Sequence, residues 1–209
     1  IQLKYKWMPK ELKICGITSE NIIKKIIEKN GCKYLGFVFY SASPRNLSIE
    51  KSEKLTSIVP NHIKKVAVLV NPDNNFVERI KNQFDYLQLY DTDPARVKEL
   101  KLIFKKKIIQ SIQVKKEEDI NLYKQYIGIA DEFLFDSSAM EKSSMFNWNY
   151  LKNIKIKSWF LAGGINIDNV NEALKIAPKI DISSALEDNT GEKSEKKVIN
   201  FLEKIKKFL

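Results

Sequence analysis

The feature that most constrains this chain is an eightfold alternation between two kinds of segment. Short runs rich in Ile, Val, Leu and Phe lie near residues 12–17, 33–39, 64–70, 85–89, 107–113, 131–136, 157–162 and 179–183. They are apolar continuously rather than at every second position, the pattern of parallel strands covered on both faces. Between them lie amphipathic, Lys/Glu-rich segments near 19–30, 48–58, 73–82, 94–103, 116–127, 148–153, 166–176 and 192–208. Ser48 precedes Ile49-Glu50-Lys51, Asn71-Pro72-Asp73 opens the third helix, and Asp93-Pro94 places a proline in the first turn of the fourth. Gly31 is expected to close the first helix with a left-handed cap.

Strand and helix repeating eight times with short connections predicts the α/β class and a single closed (β/α)8 barrel. An open doubly wound sheet has the same element count, and counting alone does not show closure. No Gly/Ser-rich linker interrupts the 209 residues, so one domain is expected over 1–209, with residues 1–10 forming an N-terminal extension outside the barrel.

Composition removes several function classes. No apolar run approaches the ~18 residues of a membrane span, and the N-terminus lacks the pattern of a signal peptide, which points to the cytoplasm. The single histidine, His62, follows Pro60-Asn61 in a predicted solvated loop, leaving neither metal-ligand spacing nor a partner for Ser-His or Cys-His catalysis. Two cysteines do not make a disulfide framework here; both are expected reduced, with Cys32 in the core. The formal charge of +10 reads as a solvated face, because lysines are spread over every predicted helix and only three residues are arginine. Nucleic acid is therefore not the expected partner, although an anionic substrate gains from the field.

Ligands of such barrels bind at the C-terminal strand ends, which gives a short list. Strand 1 ends at Cys15, strand 2 leads into Ser43-Pro44-Arg45, strand 4 carries Gln88 and strand 6 ends at Asp136. Strands 7 and 8 end in Gly163-Gly164 and in Asp181-Ile182-Ser183-Ser184. Gly163-Gly164, just before a helix start expected at Asn166, lets backbone N–H groups approach an anion, and Ser183-Ser184 adds donors from the next loop. Together they read as a phosphate site. Arg45 is a planar fork suited to a carboxylate. Cys15 and Asp136 are a workable base and acid for moving a proton off carbon, although spacing alone does not separate that role from packing and capping. A thiol of pKa near 8.5 needs a nearby positive charge to serve as base, and Lys13 is expected not to supply it.

In order, Lys13-Ile14-Cys15-Gly16-Ile17-Thr18, Gly36-Phe37-Val38-Phe39-Tyr40 with Ser43-Pro44-Arg45, Val68-Leu69-Val70-Asn71, Leu87-Gln88-Leu89, Leu134-Phe135-Asp136, Phe146-Asn147-Trp148, Leu161-Ala162-Gly163-Gly164 and Asp181-Ile182-Ser183-Ser184 resemble the phosphoribosylanthranilate isomerases of tryptophan biosynthesis. The resemblance covers residues 13 to about 191. It implies a cofactor-free, metal-free Amadori rearrangement with Asp136 as general acid and Cys15 as general base. It further implies Arg45 on the substrate carboxylate, the Gly163-Gly164 and Ser183-Ser184 loops on the phosphate, and Gln88 and Asp181 as substrate-binding residues. The partner it implies is a small phosphorylated substrate, with no nucleic acid and no membrane, for a monomer or homodimer.

The chain departs from the family where Gln-Leu-His-Gly is usual and Gln88-Leu89-Tyr90-Asp91 stands, and in a glycine-free loop over 137–145. The competing readings are another phosphate-binding barrel of indole-glycerol-phosphate synthase or epimerase type, and a non-catalytic barrel holding a phospho-ligand or nucleic acid.

Overall fold

The structure is a computed structural model, and it describes residues 10–137 and 145–208. Eight parallel strands close on themselves in sequence order, with β1 (Glu11–Cys15) hydrogen-bonded to both β2 (Tyr34–Phe39) and β8 (Lys179–Ile182). Between them run β3 (Lys64–Val70), β4 (Tyr86–Tyr90), β5 (Lys107–Gln113), β6 (Glu132–Asp136) and β7 (Trp159–Leu161). Closure removes the open-sheet alternative. Residues 1–9 of the expected extension lie outside the described residues; Lys10 leads directly into β1, its Nζ donating to Ala177 O at 3.0 Å.

Strand alternation creates two apolar regions. Outward residues such as Leu12, Ile14, Leu87 and Leu89 pack beneath the helices, while Tyr34, Val66, Tyr86, Ile109, Leu134 and Phe160 fill the barrel. Among the described residues, charge in the interior is met by opposite charge, as burial demands. At the N-terminal end Lys179 Nζ is 2.7 Å from Glu132 Oε2, 2.9 Å from Glu11 Oε2 and donates to Tyr34 Oη at 2.8 Å.

The helices are α1 (Glu20–Lys29), α2 (Ile49–Ser57), α3 (Asn74–Ile80), α4 (Pro94–Phe104), α5 (Val170–Ile176) and α6 (Glu195–Ile205). Ser48, Asp73 and Asp93 cap α2, α3 and α4, each side-chain oxygen accepting a backbone N–H from the first turn. Two expected helices take the tighter 3₁₀ form, over Glu117–Tyr126 and Trp148–Asn153. Their inward residues explain it. Ile120 and Tyr123 in the first, and Trp148 and Leu151 in the second with Ile154 just after it, recur every third position and are buried, matching a period of three residues per turn. The positive φ expected at Gly31 falls first on Asn30, at 47°.

Two further expectations fail at the C-terminal third. The helix expected to start at Asn166 starts at Val170, because Asn166 Oδ1 accepts from Asp168 N at 2.8 Å and Asn169 Oδ1 accepts from Asn166 N at 2.9 Å. Those side chains take the backbone donors that a helix needs. The last helix starts at Glu195 rather than 192, since a hairpin of β9 (Glu187–Asn189) and β10 (Glu192–Lys193) precedes it.

Candidate active site

β1 places Lys13 and Cys15 on one face, two residues apart and both turned inward. Lys13 is fully buried, and its Nζ lies 2.7 Å from Asp181 Oδ2 of β8. The expectation that Lys13 stands apart from the thiol is therefore wrong: positions i and i+2 of a barrel strand share the interior. Gly36, next to Cys15 in the β1–β2 register, shows how tightly the two groups sit. A Cβ at Gly36 would be 2.7 Å from Cys15 Sγ and 3.1 Å from Lys13 Nζ. Burial pushes the Cys15 thiol above its ordinary range, and Asp181 adds to this, while Lys13 and Lys193 pull it down. Asp181 and Cys15 together outweigh burial at Lys13 and hold it protonated.

Across the barrel, Asp136 ends β6 and Tyr90 ends β4. Tyr90 Oη donates to Asp136 Oδ2 at 3.2 Å, and Gln88 Nε2 donates to Tyr90 Oη at 3.1 Å. Gln88 does not line the cavity. It is fully buried one layer below, its Nε2 within reach of Tyr90 Oη and of Ser111 Oγ at 3.3 Å.

The loops after β7 and β8 form the opposite rim. Gly163 and Gly164 both adopt the left-handed region, at φ +83° and +71°, which only glycine enters cheaply. A Cβ on Gly163 would also meet Ser137 Oγ at 2.7 Å. Ser183 Oγ donates to Cys15 O at 3.0 Å, tying the β8 loop to the end of β1, and Ser184 opens a short 3₁₀ turn (Ser184–Leu186). Asp181 Oδ2 is taken by Lys13, while its buried Oδ1 has no hydrogen-bond partner among the described residues.

Arg45 reaches this mouth in a two-bonded pair with Glu187, Nε to Oε1 and Nη2 to Oε2 each at 2.7 Å. Lys193 Nζ joins the same carboxylate at 2.5 Å, and Gly191 N donates to Oε2 at 2.9 Å. Burial opposes ionisation of Glu187, but Arg45, Lys193 and the Gly191 N–H outweigh it and hold the carboxyl at about 2. The fork expected to hold a substrate carboxylate is oriented by the chain's own hairpin.

A cavity of about 620 Å³ collects Cys15, Arg45, Asp136, Gly163, Gly164, Asp181, Ser183 and Ser184, together with Tyr90 and Glu187. Sequence reasoning missed Lys13, Tyr90, Glu187 and Lys193. The first two were legible as inward positions of β1 and β4; Lys193 was hidden inside a predicted helix, and Glu187 fell between the last predicted strand and helix. Cys32 and His62 fall where expected. Cys32 is buried, with its thiol pushed up to about 12 by burial, and His62 lies exposed before β3. The expected loop over 137–145 falls largely on 138–144, outside the described residues.

A closed (β/α)8 barrel with a thiol, a carboxyl and two donor-rich loops at its C-terminal mouth defines a class of barrel enzyme acting on small anionic substrates. Within that class the chain belongs to the N-(5'-phosphoribosyl)anthranilate isomerase family, whose sequence model matches residues 12–204. It is 33% identical to the N-(5'-phosphoribosyl)anthranilate isomerase of Rhodopseudomonas palustris strain TIE-1, over 91% of this chain and 95% of that one. It is also 33% identical to the isomerase of Rhizobium johnstonii, over 96% of each. A solved phosphoribosyl anthranilate isomerase in complex with reduced 1-(o-carboxyphenylamino)-1-deoxyribulose 5-phosphate superposes with a TM-score of 0.80 at 25% identity, covering 95% of this chain and 99% of that one. The Thermotoga maritima enzyme shares the fold with a TM-score of 0.86 at 24% identity, with the same coverage.

Proposed function

We propose that this protein converts N-(5-phosphoribosyl)anthranilate to 1-(2-carboxyphenylamino)-1-deoxyribulose 5-phosphate in tryptophan biosynthesis, as a cytoplasmic isomerase using its own side chains. The observation that carries the reading is the convergence of Cys15 and Asp136 on one cavity rimmed by the Gly163-Gly164 and Ser183-Ser184 loops. Family membership narrows the chemistry to the Amadori rearrangement.

In this reading Asp136 gives its proton to the ribose ring oxygen as the C1–O bond breaks and the nitrogen lone pair forms a protonated Schiff base. The Cys15 thiolate then takes the C2 proton. The released electron pair becomes the C1–C2 double bond, and the imine electrons return to nitrogen, leaving an enolamine. Protonation at C1 and loss of the C2 hydroxyl proton give the ketone. General acid–base steps of this kind contribute about 10²–10⁴ each.

The thiolate needs electrostatic help in a buried site. Lys13 supplies a fixed positive charge beside it, and Lys193 a second from the hairpin. Asp181 Oδ1 accepts from a ribose hydroxyl, which gives that buried oxygen a partner. Arg45, with Nε and Nη2 committed to Glu187, offers Nη1 to the substrate carboxylate. Backbone N–H groups of the two rim loops receive the phosphate. Monomer or homodimer is the assembly this reading takes.

The direct test adds purified protein to N-(5-phosphoribosyl)anthranilate and follows the loss of substrate fluorescence, with product identified by mass and retention time. Turnover to the ketose supports the reading. Binding without turnover, or turnover of a different phosphorylated sugar only, overturns it.

A further inference from the structure

β4 alternates so that Tyr86, Gln88 and Tyr90 all point into the barrel. The last of these stands where the family resemblance places a histidine. Its ring is buried, its hydroxyl reaches Asp136 Oδ2 at 3.2 Å, and it lines the same cavity as Cys15. Behind it Gln88 Nε2 approaches Tyr90 Oη at 3.1 Å and Ser111 Oγ at 3.3 Å.

We propose that Tyr90 is a positioning residue that aims Asp136 at the substrate and stabilises the carboxylate left when Asp136 gives up its proton. The inference rests on the isomerase reading and deepens it. With an amide N–H donated to the phenol oxygen, the phenol's own proton is directed outward to Asp136. A phenol has one proton, an ionised carboxylate only accepts, and so the bond strengthens as negative charge develops on Asp136. The phenol keeps its proton throughout, because burial, with Asp136 beside it, holds Tyr90 well above its ordinary value. Gln88 and Ser111, with no access to the cavity, set the direction of that bond from below.

The test compares wild type with Tyr90→Phe, Tyr90→His and Gln88→Met, reading kcat, KM and the affinity for reduced 1-(2-carboxyphenylamino)-1-deoxyribulose 5-phosphate. Loss of one hydrogen bond to a charged group predicts a fall of about ten- to a hundredfold in kcat for Tyr90→Phe. KM and product-analogue affinity stay within about twofold of wild type. Tyr90→His, whose ring N–H can reach the same carboxylate, recovers most of the loss. Gln88→Met, which leaves the cavity wall intact, lowers kcat by a smaller factor and keeps the proposal testable if the phenylalanine variant fails to fold. An undiminished kcat in Tyr90→Phe, or in Gln88→Met where the phenylalanine variant does not fold, overturns the inference. So does a loss carried by KM, or a histidine variant no better than phenylalanine. Absence of turnover in the wild type overturns the isomerase reading and this inference with it, whereas wild-type turnover with an unaffected Tyr90→Phe overturns the inference alone.

Discussion

Lys13 and Asp181 meet inside the barrel, Nζ to Oδ2 at 2.7 Å, beside the Cys15 thiol. Neither charge would survive there alone. Ion desolvation in an interior costs several kcal/mol, offset only when the partner and further hydrogen bonds are present. The pair connects β1 to β8 across the seam where the barrel closes, and it delivers a cation to the one thiol that faces the cavity. Its structural and chemical effects are therefore separable by experiment.

Replacing Lys13 with Met leaves the Asp181 carboxylate buried without its cation, and stability falls by about 3 kcal/mol. Adding Asp181→Asn restores most of it in urea unfolding. The thiol, however, loses a positive neighbour in both variants. Iodoacetamide alkylation of Cys15 is expected to be slower than in wild type at pH 8 in Lys13→Met, and to recover only in part in the double variant, because Asp181→Asn removes a negative charge that also raises the thiol. In wild type the alkylation rate keeps rising as pH passes 9, because burial holds the thiol above its ordinary value. Thiol reactivity in Lys13→Met equal to that of wild type would contradict the assignment of Lys13 as the activating charge.

Gly36→Ala places a methyl group 2.7 Å from Cys15 Sγ and 3.1 Å from Lys13 Nζ. The strand cannot retreat, since Gly36 pairs with Cys15 on one side and Val66 on the other. Overpacking of this kind costs about 1–3 kcal/mol, which a barrel of this size tolerates. The expected protein is folded by circular dichroism and at least about a hundredfold slower in turnover, since reacting groups displaced by an ångström lose rates of that order. Near-wild-type turnover would show that the thiol is not held where the structure places it.

Glu187, held at about 2, links stability to pH. An unfolded glutamate titrates near 4.3, so the folded carboxyl is the stronger acid. Its contribution is fully present above the unfolded value and is lost as pH falls through about 2. Glu187→Gln is expected to lower stability at pH 7 by about 2 kcal/mol and to flatten the stability-against-pH curve below pH 4.5. It also releases Arg45, so KM rises more than kcat falls. Urea midpoints at pH 7 and pH 3 check the first point, and steady-state kinetics the second.

Most of the barrel is legible in the sequence because its strands are continuously apolar and its helix starts carry explicit caps at Ser48, Asp73 and Asp93. The cavity residues follow from strand ends alone: Cys15, Asp136, Gly163, Gly164, Asp181, Ser183 and Ser184 converge as the count of elements implies. What escaped is pairing across the barrel. Nothing local to Lys13 announces Asp181, which is 168 residues away, and nothing in Arg45 announces Glu187, 142 residues away. The strand position of Gln88 does not reveal its layer, which lies one pleat below Tyr90. The 3₁₀ segments were visible in principle, because Trp148, Leu151 and Ile154 repeat at three.

The most direct test of the central claim measures turnover of N-(5-phosphoribosyl)anthranilate by Cys15→Ser and Asp136→Asn beside equilibrium binding of the reduced product analogue. Each substitution is expected to lower kcat by about 10³-fold or more, with analogue affinity within a few-fold of wild type. Substantial turnover in either variant, or loss of analogue binding in step with activity, would contradict the assignment of Cys15 as base and Asp136 as acid.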